Sequence, residues 1–448
     1  MADDLYRHPL AALRAQLGLS AVQYLRKVEA RHRALGFGSM ATRREKVNRW
    51  ESGVASPDRT AQLAMASLHG VPAYLVEQYG WPDWLLAVNR ADRVILGASW
   101  TPAGTLETLT VSARGGPVDR RGFLIATGAT LSAVAADWAA SEPASAARLA
   151  GRRRLTADMV EGLEQRLDVL RRLDDVLGGT EIRRAAVAEY QLLTTLANEA
   201  TYTEAMGRRL LSAVAEAGRV CGWLHFDAGR HAAAQTYYVC ALRAADTAAD
   251  PITGANALAF MAVQAYTVGN PHDAVELMRT AQLKVAPGGT PRVRAAMHAR
   301  LARALSKAGE RTECQRQLDA MNEQYANGPR DEDPAWLYWI DRPNLDGMAA
   351  SCLLDAHEPR SALAHFAAAV DGYPDHYPRE KALDLAGSAV AHLALGDLDA
   401  ACDAGRRAWE ITGGLDSGQL FGAMTDLRDR LLPHRDVPVV RDFLELAG

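Results

Sequence analysis

Apolar residues recur at helical spacing through residues 1–75 and predict a set of short helices. Spacings of three and four positions place them on one face, so each helix can bury that face against the others. Ser20 is of a residue type that caps the beginning of a helix, and Gly53 of one that closes the end. The predicted helices cover residues 9–17, 20–34, 42–53 and 57–70.

The third of these helices leaves unusual side chains on its outer faces. Val47 and Trp50 are three positions apart and can pack inward together. The other faces carry Arg, Lys, Asn and Glu side chains. Arg and Lys can donate to guanine, Asn can pair with adenine and Glu can accept from cytosine, so the helix suits the major groove of DNA. By charge alone it would be an ordinary solvated surface helix.

The segment Val47-Asn48-Arg49-Trp50-Glu51-Ser52-Gly53, followed by Pro57 and Leu63-Ala64, resembles the Cro and lambda-repressor type of helix-turn-helix, the xenobiotic-response-element (XRE) family. The resemblance extends over residues 1–75 and implies a DNA-binding domain. Ser20 and Trp50 lie about a dozen positions further apart than is usual in that family, so we expect an elongated second helix and a loop at 36–40. The candidate DNA contacts are Ser20, Gln23, Arg43, Arg44, Glu45, Lys46, Asn48 and Arg49.

A string of cations on the second helix has two interpretations. It could add phosphate contacts, which fix register and affinity without distinguishing bases. It could equally be a solvated helix face. The residues are Arg26, Lys27, Arg31 and Arg33.

Helical periodicity disappears between residues 97 and 117, where Gly, Pro, Thr and Ser dominate. Residues 105–111 alternate weakly between apolar and polar, which indicates a short strand or an extended linker. Arg120 and Arg121 precede an apolar run to Ala136 that imitates a twin-arginine export signal. Because this run lies far inside the chain, we interpret it as a helix that packs the linker onto the next domain. The predicted domains are residues 1–90, 91–155 and 156–448.

A repeat follows the linker. Gly229, Gly269 and Gly309 follow one another at a constant spacing of 40, and His357 and Gly396 come next at spacings of 48 and 39. A small residue stands seven positions before and five positions after each of them, which lets two antiparallel helices cross closely beside a turn. These small residues are Gly222, Ala262, Ala302, Ala350 and Ala389 before the turns, and Ala234, Ala274, Cys314, Ala362 and Ala401 after them. The pattern predicts five helical hairpins.

The hairpins resemble the tetratricopeptide repeat, whose standard form has about 34 residues. The resemblance implies a superhelix with a concave groove, in which cationic, amide and aromatic side chains suit an extended peptide or a small carboxylated or polar ligand. Each groove residue could instead solvate the groove or pack between repeats. Residues 163–218 should add one or two irregular hairpins, and the segment after Ser417 a cap. The groove positions are Arg219, Trp223, Asn256, Tyr266, Arg303, Lys307 and Asn344.

An aromatic cluster falls within the longest spacing between two turns. Trp336, Tyr338 and Trp339 could form a ligand lid, an interface anchor or part of the core.

Charge separates residues 1–75 from the rest of the chain. They hold 11 Lys and Arg against 6 Asp and Glu, a balance of +5, whereas the remainder holds 39 against 48, a balance of −9. A basic module on an acidic body is expected when only one part contacts nucleic acid. Apolar residues make up 48% and Phe contributes only 7 positions, which favours closely packed helices.

Several classes of site are not expected. The five cysteines have no Cys-x-x-Cys spacing, which favours reduced core thiols in the cytoplasm over disulfides or zinc. The histidines show no metal-ligand spacing, and the sequence contains no phosphate-binding loop and no catalytic constellation. No run approaches the roughly 18 apolar residues that span a bilayer. We therefore expect no metal, no cofactor, no membrane segment and no enzyme.

The expected protein is all-α, with an N-terminal helix-turn-helix domain and a C-terminal α-solenoid. This combination resembles the peptide-pheromone transcriptional regulators of Gram-positive bacteria. That resemblance implies a homodimer on double-stranded DNA with two half-sites, controlled by a peptide or small-molecule effector in the repeats. The alternative is a protein-interaction scaffold, in which the repeats bind a partner protein and the N-terminal domain does not read DNA.

Overall fold

A computed structural model describes residues 8–114, 128–142, 145–148, 151, 153–177, 179–374, 377–412 and 417–446. Helices dominate these ranges, which confirms the predicted all-α class. Among the described residues the only sheet is a pair of two-residue parallel strands, β1 (Arg153–Arg154) and β2 (Ala200–Thr201).

The N-terminal unit contains the four predicted helices and two further short ones. Ser20 caps α2: its hydroxyl accepts from the Gln23 amide, and the Gln23 side chain accepts from the Ser20 amide. Gly53 follows α3 with φ +72°, the left-handed conformation expected of a closing Gly. The elements are α1 (Pro9–Gln16), α2 (Ala21–Ala34), α3 (Arg44–Glu51), α4 (Arg59–Leu68), α5 (Ala73–Tyr79) and a 3-10 helix (Asp83–Val88).

Three helices connect this unit to the repeats: α6 (Arg90–Gly97), α7 (Pro102–Arg114) and α8 (Gly128–Ala140). The prediction of a strand or extended linker between residues 97 and 117 is wrong, because α7 occupies most of that stretch. Its hydroxyl side chains bond back to the helix, as Thr108 does to the Thr105 carbonyl (2.8 Å) and Ser112 to the Leu109 carbonyl (2.9 Å). Because these hydroxyl groups are satisfied, α7 buries polar as well as apolar side chains, and its sequence shows no amphipathic period.

Helix α8 is the predicted docking helix, and it lies between the N-terminal unit and the repeats. Asp83 accepts from the Thr130 amide (3.2 Å), and Asp273 of the repeats accepts from the Gly128 amide (2.7 Å). Trp138 packs against Gly254 of the repeats, where a Cβ atom would come within 2.5 Å of the indole ring. Arg120 and Arg121 lie outside the described residues.

The repeats form consecutive antiparallel hairpins, and all five predicted turns are present. Four of the five turn residues have a left-handed φ between +63° and +79°, whereas Gly269 has φ −134°. The helices are α9 (Ala157–Leu177), α10 (Gly179–Glu199), α11 (Glu204–Asp227), α12 (His231–Ala248), α13 (Pro251–Val268), α14 (Pro271–Val285), α15 (Pro291–Lys307), α16 (Arg311–Ala326), a 3-10 helix (Ala335–Trp339), α17 (Arg342–Asp355), α18 (Pro359–Gly372), α19 (Pro378–Ala394), α20 (Leu398–Thr412), α21 (Gly418–Leu431), a 3-10 helix (Leu432–His434) and α22 (Pro438–Leu446).

The small residues beside the turns mark the helix crossings, as predicted. All ten are buried. At Gly222 the crossing is so close that a Cβ atom would come within 2.2 Å of the Tyr238 ring. Helices α9 and α10 form the additional hairpin expected before the array, and α21 and α22 form the terminal segment expected after Ser417.

Candidate functional site

Helix α3 is presented to solvent on the faces that the sequence singled out. Val47 is fully buried and Trp50 is 3% exposed, so the inward face holds the helix on the N-terminal core. Glu45 and Asn48 are exposed. The cations at the same surface are exposed or, for Lys46, partly buried; we call them the basic face of α3, and they are Arg43, Arg44, Lys46 and Arg49.

Of the two acidic residues of α3, Glu45 is exposed beside these cations and Glu51 is turned inward. Glu51 accepts from Arg14 of α1 through both carboxylate oxygens, at 2.6 and 2.9 Å. No cation of the basic face forms an ion pair within the described residues, although the Lys46 ammonium lies 5.2 Å from the Trp50 ring centre. The positive charge of α3 is therefore available to an external anion.

The cations of α2 divide into two groups. Arg26 and Lys27 are exposed and make no ion pair within the described ranges. Arg31 donates to the Ser67 hydroxyl (2.9 Å), and Arg33 pairs with Glu29 on its own helix. The Ser20 and Gln23 side chains are exposed but engaged in the helix cap.

The predicted groove residues converge on two cavities inside the helical array. The larger cavity, of about 480 Å³, is lined by four of them: Tyr266, Arg303, Lys307 and Asn344. The smaller cavity, of about 210 Å³, is lined by Arg219, Trp223 and again Asn344. The two cavities adjoin, because they also share Met348, Glu380 and Leu383. Asn256 lines neither of them and is buried within α13.

The two predicted cations of the larger cavity share one carboxylate partner. Arg303 and Lys307 both donate to the Asp355 carboxylate, at 2.9 and 2.8 Å. Burial alone would raise the pKa of Asp355, but the charges of Arg303 and Lys307 outweigh it and lower that pKa. An incoming ligand therefore meets a hydrogen-bonded set with one net positive charge, whereas the sequence suggested free cations.

Most charges of the smaller cavity are paired too. Glu216 accepts from Arg171 (3.0 Å) and from Arg219 (2.7 Å), which fixes both guanidinium groups. The Trp223 indole donates to Asp174 (3.0 Å). The polar groups of Arg219 and Trp223, the two groove residues predicted here, are therefore held by the protein itself.

Arg300 is the exception, and the sequence analysis missed it. Its guanidinium lies 5.3 Å from the ring centre of Phe260 and 4.7 Å from that of Trp339. It forms no ion pair with any described residue, and its Nε atom has no hydrogen-bond partner among them. Burial lowers the pKa of Arg300. Because Arg300 precedes Arg303 by one helical turn on α15, the same face argument could have identified it.

The aromatic cluster of the long spacing forms one wall of the smaller cavity. Trp336 is 4% exposed, and Tyr338 and Trp339 are partly buried. Tyr338 donates to Asp175 of α9 (2.6 Å). The cluster thus joins the middle of the array to its first hairpin.

Further contacts bridge the inner face of the array. Arg379 of α19 pairs with Asp174 (3.3 Å) and Asp175 (3.4 Å) of α9. The Ser417 hydroxyl donates to Asp227 at the end of α11 (2.9 Å). These contacts connect late hairpins to early ones across the inner face of the array.

The structure adds two observations on other kinds of site. The described ranges hold no group of three or more potential metal ligands, and none of their helices is both long and apolar enough to cross a membrane. The five cysteines are buried free thiols.

Comparisons with known proteins leave the chain without a family. No family model matches it, and no curated protein matches it. The crystal structure of BtubC (BKLC) from P. vanneervenii aligns with 15% identity and a TM-score of 0.38, over 51% of this chain and 89% of that one. The crystal structure of yeast Tom70 aligns with 12% identity and a TM-score of 0.30, over 86% and 92%. Likeness at this level carries no inference, so function is argued from the geometry of this chain.

Proposed function

We propose that the chain is a DNA-binding regulator whose helical repeats hold a small ligand, with no catalytic step of its own. The observation that carries the DNA part is the basic face of α3. Four cations lie without an ion pair among the described residues, while Glu51 of the same helix is turned inward to Arg14. The acidic residue one turn before Arg49, Glu45, forms no ion pair with it among the described residues, although such i,i+4 pairs are common on surface helices. Here the charge is left for phosphates and base edges.

Selection of DNA fragments from a random pool by the purified protein tests this assignment. We expect one enriched site, and we expect Arg44→Ala and Asn48→Ala each to lose about 1–3 kcal/mol at one base position. Arg316→Ala is the control, because Arg316 is exposed on α16 in the repeats. Folded Arg44→Ala and Asn48→Ala proteins that bind the site as tightly and selectively as the wild type would rule out base recognition by α3.

The ligand part of the proposal is supported by the two adjoining cavities, whose combined size suits a small molecule. The bridges formed by Arg379 and Ser417 leave less room for a long extended peptide. A ligand changes DNA affinity only if it binds the DNA-competent and DNA-incompetent arrangements differently. Analysis by mass spectrometry of molecules released from the purified protein tests for such an occupant.

By the resemblance to XRE-type regulators we further propose a homodimer on two half-sites. The spacing of half-sites in the selected DNA tests it, together with the mass of the protein in solution. A single half-site bound by a monomer would contradict it.

The helical array by itself is typical of proteins that bind other proteins, and it favours a second candidate, the interaction scaffold. In that case the repeats bind a partner protein and α3 does not contact DNA. The two functions differ in which surface matters. A scaffold would keep its function in the Arg44→Ala and Asn48→Ala variants and would enrich no DNA sequence.

A further inference from the structure

Arg300 occupies a setting that the other arginines of the smaller cavity do not share. Arg171 and Arg219 are paired with Glu216, and Arg379 with Asp174 and Asp175. Arg300 has aromatic rings on two sides and no carboxylate partner among the described residues. A partly buried cation of this kind is costly unless an anion reaches it. The Tyr266 side chain interacts with Arg300 by a hydrogen bond, but the described residues supply no carboxylate.

Other hydrogen-bond donors around the same cavity lack an acceptor. The indole Nε1 of Trp336 and the Nε atoms of Arg300 and Arg171 are buried without a partner among the described residues, and so are one carboxylate oxygen of Asp174 and one of Glu380. Buried donors are normally satisfied, and the cation of Arg300 together with three such donors favours a ligand that brings an acceptor. A carboxylate accepts two or more hydrogen bonds and carries the negative charge that would balance Arg300.

The walls indicate what the carboxylate is attached to. Val220, Met348 and Leu383 supply apolar surface, and Met348 and Leu383 continue into the larger cavity. The apolar part of a bound carboxylic acid could therefore extend from the smaller cavity into the larger one. The cavities are wide enough for a ring system of modest size.

We propose that Arg300 and Trp336 bind the carboxylate of a small apolar monocarboxylic acid, whose body lies against Met348 and Leu383. This proposal rests on the proposed ligand-binding function of the repeats and specifies the class of ligand.

The surrounding charges favour a single negative charge over two. Asp174, Asp175 and Glu380 also line the smaller cavity, so a dianion such as a phosphate monoester would meet several carboxylates with only one unpaired guanidinium. The Asp175 carboxyl is the least repulsive of them, since burial raises its pKa to about 7. A monocarboxylate carries one negative charge, which balances Arg300 and adds no further negative charge to the cavity.

The test uses two probes of nearly equal shape, naphthoate and its neutral amide, naphthamide. Calorimetry at neutral pH measures their affinity for the full-length wild-type chain and for Arg300→Met, Arg300→Lys and Arg316→Met proteins. We expect the wild type to prefer naphthoate by about ten-fold or more. We expect Arg300→Met to lose that preference, Arg300→Lys to keep part of it, and Arg316→Met to behave as wild type.

Trp336→Phe provides a variant that keeps an aromatic ring at this position, removes the N–H donor and reduces the side-chain volume. This variant should bind naphthoate more weakly and naphthamide with unchanged affinity. Circular dichroism should show wild-type helix content. Equal affinity of the wild type for both probes, no binding of either at millimolar concentration, or a preference that survives Arg300→Met would each overturn the proposal.

The outcome is separable from that of the proposed function. A neutral molecule released from the purified protein would overturn the carboxylate assignment and still support a ligand-binding function. Preference for naphthyl phosphate over naphthoate would overturn the choice of a monoanion in the same way. Failure of DNA selection would count against the regulator and leave the carboxylate site to be judged by the probes.

Discussion

The guanidinium of Arg243 lies over the indole of Trp100, 4.5 Å from the ring centre, and ties the repeats to the end of α6. Arg243 is fully buried in α12 and donates to three backbone carbonyls, those of Ile95 (3.1 Å), Leu96 (3.3 Å) and Ser99 (3.2 Å). A cation at the C-terminus of a helix satisfies carbonyls that have no partner in the helix. The first connecting helix after the N-terminal unit is therefore joined to the repeats by a specific polar contact.

Replacement of Arg243 tests that junction. Arg243→Met removes three hydrogen bonds and leaves carbonyls buried without donors, so we expect the free energy of unfolding to fall by about 3 kcal/mol. Urea denaturation followed by circular dichroism measures it. Arg316→Met, at an exposed position, should change stability by less than about 0.5 kcal/mol. A similarly small effect of Arg243→Met would contradict the importance of the contact.

Two glycines inside helices give opposite expectations for the same substitution. Gly222→Ala places a methyl group 2.2 Å from the Tyr238 ring and should destabilise the protein by about 1–3 kcal/mol. Gly162 of α9 has no atom within 4 Å of the added Cβ, so Gly162→Ala should stabilise it by up to about 1 kcal/mol. Thermal unfolding of both variants measures the contrast, and equal shifts would refute the close crossing of α11 and α12.

The bridge from Arg379 to α9 should keep the array compact. Arg379→Met leaves Asp174 and Asp175 buried without their counter-charge, and breaking a buried pair in this way costs about 3–5 kcal/mol. We also expect a larger radius of gyration by small-angle X-ray scattering. Adding Asp174→Asn and Asp175→Asn to this variant should recover part of the stability. No recovery would mean that packing, and not charge, holds the bridge.

Asp384 predicts a pH dependence of stability. Burial, opposed in part by the hydrogen bond from Tyr373, raises its pKa from 3.8 to about 7. The folded state therefore holds a proton that the unfolded state has lost, and this contribution is complete below pH 3.8 and declines as pH rises through 7. The slope for one group approaches about 1.4 kcal/mol per pH unit.

Asp384→Asn should reduce the dependence of the urea midpoint on pH between 5 and 8, since Asn stays neutral. Asp442→Asn, at an exposed position on α22, is the control and should leave the profile unchanged. If the urea midpoint of the wild type rises between pH 5 and 8 and this rise is lost in Asp384→Asn, the assigned sign is wrong.

Cys352 should be the most reactive of the five thiols. Its hydrogen bond with Cys314 and the nearby charge of Arg303 lower the pKa of Cys352, although burial opposes them. Cys314 and Cys352 also line a cavity of about 410 Å³, which admits a small reagent. Burial raises the pKa of Cys221 and of Cys240. Iodoacetamide labelling followed by mass spectrometry should modify Cys352 first, increasingly above neutral pH; simultaneous labelling of all thiols would refute this order.

The hairpins could be predicted from the sequence because their determinants are local. A turn residue such as Gly309 needs a left-handed φ, and the buried Ala302 and Cys314 beside it mark the crossing of the same two helices. Helix α7 could not be predicted in this way. Thr105 bonds to Thr247 of α12 (2.8 Å) and Ser112 to Tyr190 of α10 (2.7 Å), and such distant partners leave no local signal.

For the candidate sites, too, local features could be predicted from the sequence and distant contacts could not. The faces of α3 follow from the positions of Val47 and Trp50 on one helix, so the sequence predicts which side chains are exposed. The groove positions indicate which helices line the cavities, but not how the charges pair. Asp355, which pairs with both Arg303 and Lys307, lies about fifty positions away on α17.

The hydrogen bond between Ser417 and Asp227 spans 190 positions and gives the array a closed topology. An open solenoid unfolds nearly as a chain of independent neighbours, because each unit contacts only the next. Once the last helices also contact an early one, fraying at either end breaks a contact with the other. Removal of α21 and α22 should therefore loosen the end of α11, and unfolding should approach a single cooperative transition.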